Sequence, residues 1–243
     1  MRDLSKFKQG LDFIGISLSE NQLDQFMKYY EMLVEKNKVM NLTAITEFDD
    51  VVEKHFIDSL LLAKTMDLTQ PLKVIDLGTG AGFPGIPLKI AFPQLNIVLA
   101  DSLNKRIRFL EEVIDALGIY EENFPVLAVH GRAEDLGRKT EYREKFDLCV
   151  SRAVANLATL SEYCLPFVKV GGYFVSYKSG HVDDEVKQSK RAIHILSSDI
   201  SRCEKMTLPG TDVGRSFVII RKNAPIQKKY PRKAGTPGKE PLV

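Results

Sequence analysis

The chain has 243 residues, 44% of them hydrophobic and 27% charged, with a net charge of +2, which suits a globular protein built as one large domain with an appendage or as two small ones. No long apolar run marks a membrane span, and the start at Arg2, Asp3 and Lys6 lacks a signal-peptide pattern, so a cytoplasmic protein without a membrane partner is expected. The three cysteines, Cys149, Cys164 and Cys203, form no C-x-x-C and His55, His130, His181 and His194 show no ligand spacing, so neither a disulfide framework nor a metal site is expected.

Leu4, Phe7, Leu11 and Ile14 recur at helical spacing. Ser19 with Gln22 then forms a capping box ahead of Leu23, Phe26, Tyr30, Leu33 and Val34. A third helix is expected from about Thr46, with Asp49 and Asp50 in its first turn and Val52, Phe56, Leu60 and Ala63 on one face. The polar, irregular stretch 37–45 reads as a loop. Residues 1–70 are thus expected to form a helical cap ahead of a different kind of domain.

The first strand is expected at 73–77, apolar enough to be buried on both faces, and it opens into Asp76-Leu77-Gly78-Thr79-Gly80-Ala81-Gly82-Phe83-Pro84-Gly85. Two frames compete over this turn. Gly80 to Gly85 spells a literal G-x-G-x-x-G, which would offer a helix start to a dinucleotide pyrophosphate, but its first glycine comes late after the strand. In the other frame Asp76 precedes Gly78, Gly80 and Gly82, placing a carboxylate where it would accept from a cationic amine. S-adenosylmethionine carries such an ammonium and no phosphate, so the acid favours it and would repel a pyrophosphate. A glycine-rich turn without a ligand is the plain alternative.

From Leu72 onward strands and helices alternate, the signature of a parallel sheet. Further strands are expected at 96–100, 125–130, 146–151 and 173–177. The intervening helices are expected at 105–117, stopped by Gly118, at 157–168 and at 183–196. Stretches 202–207 and 215–221, with a turn at Gly210, read as an antiparallel hairpin, the ending expected of a methyltransferase. In such a sheet ligands bind beyond the carboxyl ends of the strands. Strand two ends in Asp101-Ser102-Leu103, where Asp101 would accept ribose hydroxyls or cap the next helix. Strand three leads into Gly131-Arg132-Ala133-Glu134-Asp135, with Glu134 set to hold an adenine amine or to sit as a cap or surface charge. Strand four ends in Ser151-Arg152-Ala153-Val154, with Arg152 beside the expected methyl or in a salt bridge to a helix carboxylate. The tail 223–243 is rich in Lys, Arg and Pro, and reads as a polyanion-binding arm or a solvated terminus.

At these residues the chain resembles the bacterial glucose-inhibited division protein B family, the 16S ribosomal RNA guanine-N7 methyltransferases. The matching motifs are Asn41-Leu42-Thr43-Ala44-Ile45, His55-Phe56-Ile57-Asp58-Ser59-Leu60, the glycine turn from Asp76 to Leu88, Asp101-Ser102-Leu103-Asn104-Lys105-Arg106, Gly131-Arg132-Ala133-Glu134, Ser151-Arg152-Ala153 and Tyr230-Pro231-Arg232-Lys233-Ala234-Gly235-Thr236-Pro237. They span nearly the whole chain in order. The resemblance implies a class I S-adenosylmethionine-dependent methyltransferase of Rossmann-like α/β fold, with a seven-stranded sheet, mostly parallel and closed by an antiparallel hairpin. It divides the chain into an N-terminal helical extension (1–70), a methyltransferase domain (71–222) and a basic arm (223–243).

By the same resemblance, S-adenosylmethionine is the donor and N7 of the guanine conventionally numbered 527 is the acceptor, in 16S rRNA or the small ribosomal subunit. The expected cofactor contacts are Asp76, Gly78, Gly80, Gly82, Phe83, Asp101, Ser102, Leu103, Ala133, Glu134 and Arg152. The expected RNA contacts are Lys228, Lys229, Tyr230, Arg232 and Lys233, with Tyr230 stacking on a base. Arg152, His55 and Asn41 are candidates to position the substrate; for Asn41, His55 and Asp58 a structural role in fastening the helical cap is favoured. No catalytic base is assigned, because guanine N7 carries its lone pair in the ring plane and needs only orientation and closeness. A monomer is expected. A nicotinamide-dependent oxidoreductase, from the Gly80 to Gly85 frame, and a non-catalytic ribosome-assembly factor are the competing readings.

Overall fold

A computed structural model describes residues 2–152 and 155–242; Ala153 and Val154 of the fourth strand-end motif lie outside the described residues. Helix α1 (Ser5–Ile14) buries Phe7, Leu11 and Ile14 and stops at Gly15, whose φ of 81° supplies the left-handed cap. The capping box closes reciprocally in front of α2 (Glu20–Met40): Ser19 Oγ accepts from Gln22 N, and Gln22 Oε1 accepts from Ser19 N. Asn41 ends α2 at φ 51°, the left-handed conformation that Asn tolerates better than most side chains.

The expected third helix is a chain of four short turns. It passes from α3 (Phe48–Val51) through a π-helical turn (Val52–Ile57) and α4 (Asp58–Leu60) into a 3-10 turn (Leu61–Lys64). The reason lies in its surroundings, since Val51, Val52, Glu53 and every residue from Phe56 to Leu62 are buried. A helix enclosed on most of its sides is shaped by its neighbours, and the π turn sets the adjacent His55 and Phe56 against different partners.

The sheet has seven strands in the order β3-β2-β1-β4-β5-β7-β6. They are β1 (Lys73–Leu77), β2 (Asn96–Asp101), β3 (Val126–His130), β4 (Phe146–Arg152), β5 (Val168–Ser179), β6 (Ser198–Thr207) and β7 (Gly214–Lys222). The first five are mutually parallel, while β7 runs antiparallel between β5 and β6. Helices α5 (Gly85–Ala91), α6 (Asn104–Leu117), α7 (Ala133–Leu136), α8 (Leu157–Cys164) and α9 (Asp183–Ile195) make the crossovers, and α10 (Thr236–Lys239) lies in the tail. Three expected boundaries shift by several residues, one of them the start of β6, at Ser198 rather than 202. The 157–168 helix ends early in a 3-10 turn (Leu165–Phe167) around Pro166, which has no N–H to continue the ladder. Strand β5 starts before its expected 173, because a register shift between Phe146 and Leu148 of β4 absorbs the extra residues around Gly171, whose φ is 85°.

Alternation along the strands separates two cores. Val74, Ile97, Leu99, Val150 and Tyr177 face the N-terminal helices together with α5 and α6, while Ile75, Val98, Cys149, Phe174 and Val218 face α8 and α9. The tail joins the second core, against the expectation of an extended arm. Ile226 and Tyr230 are buried there, and Leu242 packs against it. Pairing supplies what composition lacked: Arg232 reaches the buried Glu162 of α8, and Arg143 donates to the carbonyls of Ile226, Gln227 and Tyr230.

Candidate cofactor site at the strand ends

The reversal of strand order between β1 and β4 opens a crevice at their carboxyl ends, and a cavity of about 550 Å³ lies there. The glycine turn forms its floor. Gly78 N and Thr79 N donate to Ala100 O at 2.9 and 3.1 Å, lashing the turn to β2, and Gly78 and Gly80 take φ of 72° and 63°. Gly82 and Gly85 serve packing instead. A Cβ on Gly82 would stand 2.8 Å from the Tyr29 hydroxyl, and one on Gly85 would run into Leu99 and come within 2.9 Å of Asp76 Oδ2.

Asp76 stands beneath the turn rather than in the cavity wall. Its Oδ2 accepts from Thr79 Oγ1 at 2.6 Å and from Gly85 N at 2.8 Å, and its buried Oδ1 has no partner. Burial pushes its pKa up to about 7, against the smaller opposing pull of those hydrogen bonds. The expected direct contact with a cofactor amine therefore becomes a fastening of the turn. The same bond weighs against the pyrophosphate frame, because the amide that opens α5 is spent on a buried carboxylate.

Asp101 lines the cavity and also ties down the backbone just ahead of α6, near the capping role that was its alternative reading. Its Oδ2 accepts from Gly80 N at 3.0 Å, its Oδ1 accepts from Leu103 N at 2.9 Å just ahead of α6, and Arg106 pairs with it at 3.1 Å. Ser102, Ala133, Glu134, Arg152, Gly78, Gly80 and Phe83 also line the cavity, whereas Leu103, Gly82 and Asn41 do not. The Leu103 side chain is instead exposed on the outer surface. Arg106 and Tyr163 are wall residues that the sequence left unassigned. Arg106 ends the motif that starts at Asp101, whereas Tyr163, on α8, carries no local signal.

Arg152 forms the salt bridge to a helix carboxylate that was its alternative reading, while still lining the cavity. Its Nη1 donates to Asp58 Oδ2 at 2.9 Å and to Lys54 O, and Asp58 Oδ1 accepts from Arg215 Nε at 2.7 Å. Arg152 Nη2 lies 3.2 Å from His55 Nδ1. The same Nδ1 also lies 3.1 Å from Lys54 O, so a guanidinium donor and a carbonyl acceptor both meet this nitrogen, while Nε2 pairs with Thr43 Oγ1 at 2.9 Å. Burial, helped by the Arg152 charge, holds the His55 pKa down at about 3, so the ring is neutral in the working range. His55 stacks on Phe83 at 4.5 Å, and the Arg152 guanidinium lies 5.2 Å from the same ring.

The tail residues divide in two. Lys228, Lys229 and Lys233 are exposed, but Tyr230 is only 7% exposed and Arg232 is held by Glu162, so neither is free to meet RNA as expected. The cause in both is the docking of the tail on the second core. Among the described residues no group of three or more His, Cys, Asp or Glu stands where it would hold a metal ion, and no helix is long and apolar enough to cross a membrane.

Residues 22–210 match the family model for GidB, rRNA small subunit methyltransferase G. The chain belongs to this family. A member named ribosomal RNA small subunit methyltransferase G, from Lachnoclostridium phytofermentans, is 51% identical over 243 residues, covering 100% of this chain and 99% of the relative. The protein of the same name from Bacillus velezensis is 47% identical over 240 residues, covering 99% of each chain. Among solved structures, a SAM-dependent O-methyltransferase from Thermotoga maritima is similar with a TM-score of 0.52 at 14% identity, over 80% of this chain and 73% of that one. TrmN from Thermus thermophilus is similar with a TM-score of 0.50 at 15% identity, over 70% of this chain and 53% of its own length. At such identities the two structures show the shared fold alone, in agreement with the expected α/β class.

Proposed function

We propose that this protein transfers the methyl group of S-adenosylmethionine to N7 of a guanine, position 527, in 16S rRNA of the small ribosomal subunit, acting in the cytoplasm as a monomer. The observation that carries the reading is the convergence of Gly78, Gly80, Asp101, Glu134 and Arg152 on one cavity inside a chain of this family. The walls suit the cofactor: carboxylates at the ends of β2 and β3 accept hydroxyl and amine protons and disfavour a diphosphate. Gly78 and Gly80 would take the methionine end, Asp101 with Ser102 the ribose, and Ala133 with Glu134 the adenine.

S-adenosylmethionine supplies an electrophilic methyl on its sulfonium. The chain's own part is orientation. Arg152, clamped by Asp58 and set against Phe83, presents a fixed cation beside the acceptor position, and neutral His55 neither gives nor takes a proton there. An N7 acceptor requires neither, since its lone pair is already available. Lys228, Lys229 and Lys233 would engage RNA phosphates. The test is incubation with tritium-methyl cofactor and small subunits from cells lacking this gene, followed by mass mapping of the RNA. One methyl at that guanine is expected; no incorporation, or methyl on another base, overturns the assignment.

A further inference from the structure

Glu134 lines the cavity yet is only 4% exposed, and Gly235 N, donating to Oε1 at 2.8 Å, is its hydrogen-bond partner among the described residues. Gly235 takes φ 84°, the left-handed conformation from which the chain enters α10. Its place is set by bonds along the tail. The Arg232 guanidinium grips both oxygens of Glu162, with Nε at 3.0 Å from Oε1 and Nη2 at 2.7 Å from Oε2, and Arg232 N also donates to Oε1 at 2.7 Å. Arg138 Nη2 donates to Pro231 O at 2.6 Å, and Thr159 Oγ1 donates to Pro237 O at 3.2 Å. Tyr163, the neighbour of Glu162 on α8, lines the same cavity, and its hydroxyl lies 3.4 Å from where a Cβ on Gly238 would stand. One wall residue of the adenine end, Glu134, is therefore braced from behind by the tail, which also passes beside a second, Tyr163.

We propose that segment 226–242 is a positioning element of the cofactor site, in which Arg232, by anchoring the tail on Glu162, holds the Gly235 amide on Glu134 and so fixes the carboxylate that receives the adenosyl group. The inference rests on the reading of this cavity as the S-adenosylmethionine site. A buried carboxylate with a single amide partner turns freely once that partner leaves, and the oxygen facing the cavity loses its direction. Binding that orders Glu134 must in turn tighten the tail, since linkage acts both ways.

The full-length protein tests this with S-adenosylhomocysteine as the probe. Calorimetry should show affinity about tenfold weaker in Arg232→Ala than in the parent, within the usual range of coupling between sites. The parent's preference for S-adenosylhomocysteine over S-inosylhomocysteine, which carries a carbonyl in place of the adenine amine, should shrink in the same variant; a general loss of packing would weaken both alike. In the parent itself, hydrogen exchange at the amides of Gly235 and Thr236 should slow when the probe binds, a readout that needs no variant to fold. Probe bound with exchange unchanged, or with equal affinity in the variant, overturns the positioning role. A parent that does not bind the probe overturns the cofactor reading beneath it.

Discussion

Asp76 and His55 make opposite demands on pH. The raised pKa of Asp76 means that the folded chain holds its proton between about 4 and about 7 while the unfolded chain releases it, so its contribution to stability declines as pH rises through that window. His55 is depressed from 6.5 to about 3, so the unfolded chain takes up a proton that the folded one refuses, and stability is lost as pH falls through that window. The two largely cancel in the parent. Chemical denaturation across pH 4 to 7 should show the stability gap between parent and Asp76→Asn moving in favour of the variant as pH rises, whereas His55→Gln should gain on the parent as pH falls; gaps independent of pH would refute the assignments. Asp58 acts through pairing instead, one carboxylate buried between two arginines. Asp58→Asn should cost about 3 kcal/mol of stability, the typical penalty for breaking a buried pair, and lower methylation of RNA, while cofactor affinity stays within about twofold. A matching loss of cofactor affinity would instead make Asp58 part of the cofactor site.

At the scale of elements, the glycine turn was legible because backbone geometry and residue type are tied there: only glycine takes φ 108° with Tyr29 and Ile86 at its back, as Gly82 does. Its glycines nevertheless do different work. Gly85→Ala should destabilise by about 1 to 3 kcal/mol, since its methyl would collide with Leu99 in a filled core, whereas Gly80→Ala meets open space and bears only the left-handed strain of about 1 kcal/mol. Thermal melts of the two variants check the order. The π turn was not legible, because Val52, Phe56, Leu60 and Ala63 satisfy α-helical spacing and nothing local announces burial on most sides. The function of Asp76 was half legible: the sequence located a carboxylate at the turn, but which side of the turn it faces depends on Thr79 and Gly85 folding back over it.

For the whole molecule, what escaped the sequence is pairing over distance. The tail's composition reads as solvated because the partner of Arg232 is Glu162, on a helix of the preceding domain, and the partner of Gly235 is Glu134. A long-range ion pair leaves no trace in local composition. The fold gives the site two kinds of support, the N-terminal helices from the first core through His55 and Thr43, and the tail on the second core through Gly235. The exposed lysines then lie on the outside of a braced segment. Replacing Lys228, Lys229 and Lys233 together by Ala should raise KM for RNA with kcat little changed, and flatten the log–log salt dependence of RNA binding by about two units for three lost phosphate contacts. An unchanged slope would move the RNA path elsewhere.

Those lysines also make the tail its own reporter. Lys228, Lys229 and Lys233 are sites for trypsin, exposed but on backbone whose neighbouring carbonyls are held by Arg143 and Arg138. A protease must draw a stretch of chain into its cleft, so the bonds to Arg143 and Arg138 have to release before cleavage. The rate of nicking thus measures how often the tail lifts from the body of the protein, and a brief digest read on a gel follows that opening without any label or assay of methyl transfer.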